Sequence, residues 1–162
     1  MRIAYADPPY PGCAGYYKEK TEVDHAELIA RIDREYDGWL LHTSVPALRD
    51  LLPLCPKDVR LMAWVKPFAA FKKNIPVAYA WEPVLVKACR KPRVTGRVVM
   101  RDWIAASSTL QKGLVGAKPM DVCFWAFEVL GMEPDDELHD LYPGTGAVTA
   151  AWETWRRQRS VA

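Results

Sequence analysis

The sequence predicts an α/β domain in which a mainly parallel sheet carries helices on both faces, and three observations support that prediction. Short apolar runs alternate with amphipathic segments, the pattern of strands joined by crossover helices. The first apolar run, Ile3-Ala4-Tyr5-Ala6, leads into Asp7-Pro8-Pro9-Tyr10. A later strand-like run, Asp136 to Tyr142, leads into the glycine turn Pro143-Gly144-Thr145-Gly146 and then a helical stretch. Open α/β sheets bind their ligands at strand ends of this kind.

Strands are expected at Arg2–Ala6, Gly38–Thr43, Arg60–Val65, Pro83–Ala88 and Leu138–Tyr142. Helices are expected at Asp24–Glu35, Val45–Leu52, Pro119–Leu130 and Ala147–Arg157. Asp24 suits an N-cap, with Glu27 three residues on as its capping-box partner. Gly131 stands where a helix C-terminal glycine belongs. Pro11 to Val23, with Gly12, Gly15, Tyr16, Tyr17, Lys18 and Lys20, forms a long connection directly after the proline pair. Such a loop can close over a substrate.

Of the 162 residues, 50% are hydrophobic, and 7 Trp, 7 Tyr and 4 Phe indicate a packed core, so one domain over residues 1–162 is expected. A net charge of +2 is too mild to require a nucleic-acid partner by itself. Cys13, Cys55, Cys89 and Cys123 lie far apart without a Cys-x-x-Cys pair and read as reduced thiols in a cytoplasmic compartment. His25, His42 and His139 are too dispersed for a metal site, and no metal is expected. The chain begins directly in a strand-like run, and no apolar stretch is long enough to cross a membrane.

Two consecutive prolines remove two backbone donors, so the carbonyls around Pro8 and Pro9 are open to hydrogen bonds from a ligand. Tyr10 offers a ring for stacking on a planar base, and Asp7 offers a carboxylate acceptor. Together they form a clamp for an exocyclic amino group. An ordinary strand exit with a proline turn would use the same residues. At the second site, glycines let the backbone approach a ligand, and the following helix N-terminus favours a negative group. A lone Gly-x-Gly also serves as a plain turn, so the pairing with the clamp carries the reading.

Asp7-Pro8-Pro9-Tyr10 resembles the catalytic motif of the amino-methylating, S-adenosylmethionine-dependent methyltransferases of nucleic acids, in the permuted order where the clamp precedes the cofactor loop. Asp140-Leu141-Tyr142-Pro143-Gly144-Thr145-Gly146 is similar to that loop, and Lys118-Pro119 to the Lys-Pro pair before it. Ala63-Trp64-Val65-Lys66-Pro67 and Trp81-Glu82-Pro83-Val84-Leu85-Val86 resemble strands of the MT-A70-like branch. The resemblance implies a Rossmann-like methyltransferase fold with S-adenosyl-L-methionine as cofactor. It also implies methyl transfer to a base amine, adenine N6 in DNA before cytosine N4, with RNA as the other nucleic acid. Asp7, Pro8, Pro9 and Tyr10 would be catalytic; Lys118, Pro119, Asp140, Tyr142, Gly144, Thr145 and Gly146 would bind the cofactor.

The chain departs from the family pattern in its cofactor half. The two strands that usually flank the clamp and cofactor strands beyond the sheet edge have no counterpart, so a reduced sheet is expected, with the 138–142 strand near an open edge. A homodimer or a partner subunit would cover that edge. The alternative function is a catalytically silent relative that binds nucleic acid or a partner. Basic residues gather at Arg90-Lys91-Pro92-Arg93, Arg97 and Arg101 beside Trp103, and at Arg156-Arg157-Gln158-Arg159. The first group suits a phosphate backbone, and the second reads as a charged helix C-terminus.

Overall fold

The structure is a computed structural model and describes residues 1–16, 21–67, 76–91, 99–108 and 117–160. Six strands form one sheet: β1 (Arg2–Ala6), β2 (Gly38–His42), β3 (Arg60–Val65), β4 (Trp81–Lys87), β5 (Trp103–Ala105) and β6 (Glu137–Asp140). Their spatial order is β5-β3-β4-β2-β1-β6. The pairs β1·β2, β1·β6 and β3·β5 are parallel, whereas β4 runs against both β2 and β3. All strands except β4 therefore share one direction.

The apolar runs form strands because both faces of the sheet are covered. Helix α1 (His25–Glu35) starts at Asp24, whose carboxylate accepts the Glu27 N–H at 3.0 Å. It buries Leu28, Ile29 and Ile32 against Ala4, Ala6, Trp39, Leu41 and Leu85 on one face. Two further helices, α3 (Met120–Leu130) and α4 (Ala147–Ser160), pack on the other face. There Val122, Phe127, Val148, Trp152 and Trp155 meet Ile3, Tyr5, Leu40, Val84 and Val86. Helix α3 ends at Gly131, whose φ of +73° belongs to the left-handed region. A Cβ there would also lie 2.4 Å from the Arg90 carbonyl oxygen, so only glycine fits.

Several boundaries differ from expectation for local reasons. The expected helix at Val45–Leu52 contains only the short α2 (Leu48–Leu51), flanked by 3₁₀ turns at Val45–Ala47 and Leu52–Leu54. Pro46 and Pro53 lack the N–H groups that a continuous helix needs. Strand β4 starts two residues before Pro83, because Trp81 already pairs with Val65. Strand β6 stops at Asp140, although the Leu141 N–H still donates to the Tyr5 carbonyl at 2.9 Å. Strand β5, only three residues long, was not expected, since so short a run carries no periodicity.

Among the described residues β6 is an edge strand, as anticipated. The four cysteines are free, and no described helix is long and apolar enough to cross a membrane. Tyr17, Lys18, Lys20, Pro92, Arg93 and Arg97 lie outside the described residues. Arg90, expected in a phosphate-facing group, instead bonds the Asp136 carboxylate at 2.5 and 2.9 Å and the Gly131 carbonyl at 2.8 Å. It thereby ties the exit of β4 and the end of α3 to the start of β6. In the second group Arg156 pairs with Glu153 and Arg159 with Glu128, in keeping with a charged helix end.

Burial would raise the Asp136 carboxyl, but hydrogen bonds from Arg90, the Met1 amino group and the Glu133 N–H outweigh it and hold its pKa at about 2 against 3.8. A depressed carboxylate adds stability that is complete above about pH 4 and is lost as the pH falls toward 2. Asp136→Asn should therefore cost about 2 kcal/mol in urea unfolding at pH 7. The cost should shrink steadily below pH 4; a penalty independent of pH would remove the ion pair from this account.

Candidate functional site

Strands β1 and β6 are parallel neighbours, with Tyr5 opposite Asp140. The chain leaves β1 toward α1 on one face and leaves β6 toward α4 on the other. Neighbouring strands whose exits diverge open a crevice at their carboxyl ends, the usual ligand site of such sheets. Asp7-Pro8-Pro9-Tyr10 and Tyr142-Pro143-Gly144-Thr145-Gly146 form its two rims. Two segments far apart in sequence are thus brought together by one strand pairing.

Tyr10 is set by a tight turn: its carbonyl accepts the Cys13 N–H at 2.8 Å, with Pro11 and then Gly12 (φ +75°) at the corners. This is the residue pattern of a type II turn. The Glu22 carboxylate accepts the Gly12 and Ala14 N–H groups at 3.3 Å and steadies the loop. On the other rim the Gly146 N–H donates to the Pro143 carbonyl at 2.6 Å, and the Gly146 carbonyl accepts the first α4 bond from Ala150. Gly144 and Gly146 have φ of +47° and +76°. Around the Cβ positions they lack, the only neighbour within 4 Å among the described residues is the Tyr142 carbonyl oxygen, 3.8 Å from that of Gly144. The glycine rim is therefore open to a close-lying ligand.

Asp140 ends β6 and faces this crevice. Its Oδ2 is 3.4 Å from the Thr149 hydroxyl, whereas its Oδ1 is buried with no hydrogen-bond partner among the described residues. Burial raises the carboxyl pKa, opposed by the Tyr142 N–H and Thr149 and reinforced by the nearby Asp7 charge. An unpaired buried carboxylate oxygen is costly unless a donor reaches it. Tyr142 is half-buried against the α1 face; burial raises its hydroxyl pKa, with Arg31 opposing.

Behind the clamp, four strands each place a side chain on the face that α3 covers: Tyr5, His42, Glu82 and Trp64. Lys118, immediately before the Pro119 N-cap of α3, enters from above with a side chain only 7% exposed. Its ammonium lies 2.9 Å from Asp7 Oδ1 and 2.8 Å from Glu82 Oε1. Glu82 Oε2 accepts from the Lys66 ammonium at 2.8 Å, and Glu82 Oε1 also lies 2.7 Å from His42 Nδ1. His42 Nε2 is 2.7 Å from the Tyr5 hydroxyl. Both ammonium groups sit over the Trp64 ring, at 4.4 Å for Lys66 and 5.1 Å for Lys118.

The protonation states follow from the surroundings. Burial favours neutral Glu82, but Lys118, the His42 hydrogen bond and Lys66 overcome it and hold the carboxyl well below its usual range. Burial also opposes charge on Lys118, yet Asp7 and Glu82 keep its pKa raised. For His42, burial and then the Lys118 charge lower the pKa against the pull of Glu82, leaving a neutral ring at pH 7. A neutral ring facing a carboxylate carries its proton on Nδ1 and donates it to Glu82; Nε2 then accepts from the Tyr5 hydroxyl. Asp7, His42 and Glu82 place potential ligand atoms within 4.8 Å of one another. That space is already taken by the Lys118 ammonium, and both His42 nitrogens are engaged.

Lys118 thus joins the clamp through Asp7, while Pro119 opens α3 above the same crevice. Tyr5, His42, Glu82 and Lys66 had not been expected at the site. The available signal was a charged or polar residue at inward parity within an otherwise apolar strand: Glu82 before Val84 and Val86, His42 after Leu40.

No family model matches the sequence, and no curated protein matches it. Solved structures do resemble it. A complex of M1.HpyAVI with SAM matches with a TM-score of 0.71 at 15% identity, covering 96% of this chain and 78% of that one. A second structure, of M1.HpyAVI, gives 0.64 at 17% identity, covering 95% and 76%. At such low identity the likeness establishes a shared fold, a mostly parallel α/β sheet with helices on both faces.

Removing the Lys118 charge should expose how the cluster is balanced. Lys118→Met leaves Glu82 and Asp7 without their shared partner and should cost about 3–5 kcal/mol at pH 8. The penalty should be smaller at pH 5, because Glu82 without Lys118 can take up a proton in mild acid. Equal penalties at both pH values in urea unfolding would mean that Glu82 is not held ionised by Lys118.

Proposed function

We propose that this chain transfers a methyl group from S-adenosyl-L-methionine to an exocyclic amino group of a nucleic-acid base, adenine N6 in DNA first. The observation that carries this reading is the meeting of the Asp7-Pro8-Pro9-Tyr10 clamp and the Asp140–Gly146 turn on adjacent strand ends. The likeness to a fold solved with SAM supports it.

The donor site fits the residues present. Asp140 Oδ1, buried and without a partner among the described residues, suits an ammonium group, and the space those residues leave at Gly144 and Gly146 suits a close backbone approach. Thr145, Tyr142, Lys118 and Pro119 would line the same pocket. When bound, the cofactor would supply an electrophilic methyl group on a cationic sulfur. A base amine is a weak nucleophile because its lone pair is delocalised into the ring. The clamp would accept its two hydrogens on the Asp7 carboxylate and the Pro8 carbonyl, which favours a pyramidal nitrogen and aims its lone pair. Lys118 engages Asp7 Oδ1, and Oδ2 would accept from the amine. Tyr10 would stack on the base, which must be unpaired or flipped out. No strong general base is needed, since the proton can leave after transfer; orientation supplies most of the acceleration.

The permuted order and the strands around Trp64 and Glu82 favour the MT-A70-like branch, and the clamp's leading Asp favours adenine over cytosine. RNA carries the same amine and is the second substrate to try. The edge of β6, unpaired among the described residues, suits pairing with a second copy or a partner subunit.

Asp7→Ala should abolish methyl transfer to an adenine-containing single strand while the calorimetric affinity for S-adenosylmethionine stays within about threefold, a change of less than about 0.7 kcal/mol. A parallel loss of affinity would assign Asp7 to the cofactor. Tyr10→Phe should be mild and Tyr10→Ala should cost about 1–3 kcal/mol in transition-state binding. Asp140→Asn should weaken cofactor binding, and the wild-type affinity should fall as the pH drops through the Asp140 titration, because only the carboxylate attracts an ammonium. A pH-independent affinity in both proteins would exclude that contact.

A further inference from the structure

Glu82 is 5% exposed, and both of its oxygens are engaged: Oε1 by His42 and Lys118, Oε2 by Lys66. A buried carboxylate contributes little net stability where a Val or Leu of similar shape would pack, so its presence calls for another role. The cluster holds two carboxylates and two ammonium groups and is internally balanced. Its members differ in exposure: Glu82 and Lys118 are shielded, whereas the Asp7 side chain is 24% exposed, at the crevice. Lys118 is anchored at its backbone by the start of α3 and at its ammonium by Glu82. Asp7 is the one carboxylate of the cluster on the clamp.

We propose that Glu82 is a positioning residue: held by His42 and Lys66, it pins the Lys118 ammonium, and through that ammonium it fixes the Asp7 carboxylate so that one oxygen is presented to the substrate amine. This rests on the reading of Asp7 as the acceptor of the amine. Asp7 directly follows Ala6, the last paired residue of β1, and precedes two prolines, so little else in its own strand restrains its side chain. The pin supplies that restraint from the core. Its effect belongs on the rate of transfer and not on retention of the donor.

The test compares wild type, Glu82→Gln, Lys66→Met and Asp7→Asn. Donor affinity is measured by calorimetry with S-adenosylhomocysteine. Methyl transfer is measured at saturating S-adenosylmethionine and adenine-containing oligodeoxynucleotide. The exchange of the Lys118 ammonium protons is followed by nitrogen-edited NMR. Glu82→Gln should keep donor affinity within about threefold, lower kcat by about 10- to 100-fold, and speed the exchange of the Lys118 protons. Lys66→Met removes an anchor of Glu82 without touching Asp7 or Lys118, so it keeps the proposal testable if Glu82→Gln does not fold. It should lower kcat by about threefold or more with affinity unchanged. Wild-type kcat in the folded Glu82 variant, or in Lys66→Met if that variant does not fold, overturns the proposal. A loss of rate matched by the loss of donor affinity also overturns it. Asp7→Asn separates the two levels: if it retains full kcat, the clamp reading itself fails, and if it is inactive while Glu82→Gln is not, only the positioning role fails.

Discussion

The ammonium of Lys118 is the contact on which the site's arrangement rests. It joins the end of β1, through Asp7, to β4, through Glu82, at the point where α3 begins. Desolvating such a charge costs several kcal/mol, and the two carboxylates offset that cost only because they sit at hydrogen-bond distance. The same geometry decides every protonation state nearby. It keeps Glu82 ionised against burial; burial, reinforced by Lys118, keeps His42 neutral, and the neutral ring gives the Tyr5 hydroxyl a partner. The polar cluster is thereby satisfied inside a face otherwise built from Val84, Val86, Phe127 and Trp125.

Topology supplies the second constraint. Pairing β1 with β6 puts the clamp and the glycine turn side by side, and sending α1 and α4 to opposite faces keeps the space between them open. The Arg90–Asp136 pair anchors the far end of β6, so the register of β6 against β1 is held at both ends. A one-residue slip would turn Asp140 away from Asp7 and bury the wrong side of the strand. The crevice is thus a product of register as much as of motif.

Much of this was legible in the sequence where local chemistry is strong. Strand β1, the Asp24 cap and the Gly131 terminus announce themselves through residues with few alternative uses, whereas the Asp7–Tyr10 and Pro143–Gly146 segments stand out only as a pair. What escaped notice depends on contacts between distant segments. Nothing adjacent to Glu82 in sequence says that it meets Lys118, Lys66 and His42; only the antiparallel insertion of β4 between β2 and β3 brings them together. Arg90 was misleading for the same reason, since its partner Asp136 is remote in sequence and a basic neighbourhood looks alike whether it binds phosphate or a carboxylate. The split of the Val45–Leu52 helix was readable in Pro46 within it and Pro53 just after it. Strand β5 is too short to have a period.

The most direct test of the account is a crystal structure of the protein with S-adenosylhomocysteine. The account predicts its amino-acid end on the Gly144–Gly146 turn, with the ammonium at Asp140 Oδ1 and the sulfur facing Asp7 and Pro8. Binding anywhere else, for example in the cavity of about 480 Å³ between Arg60, Met62, Arg90 and Met100 at the opposite end of β3 and β4, would contradict it.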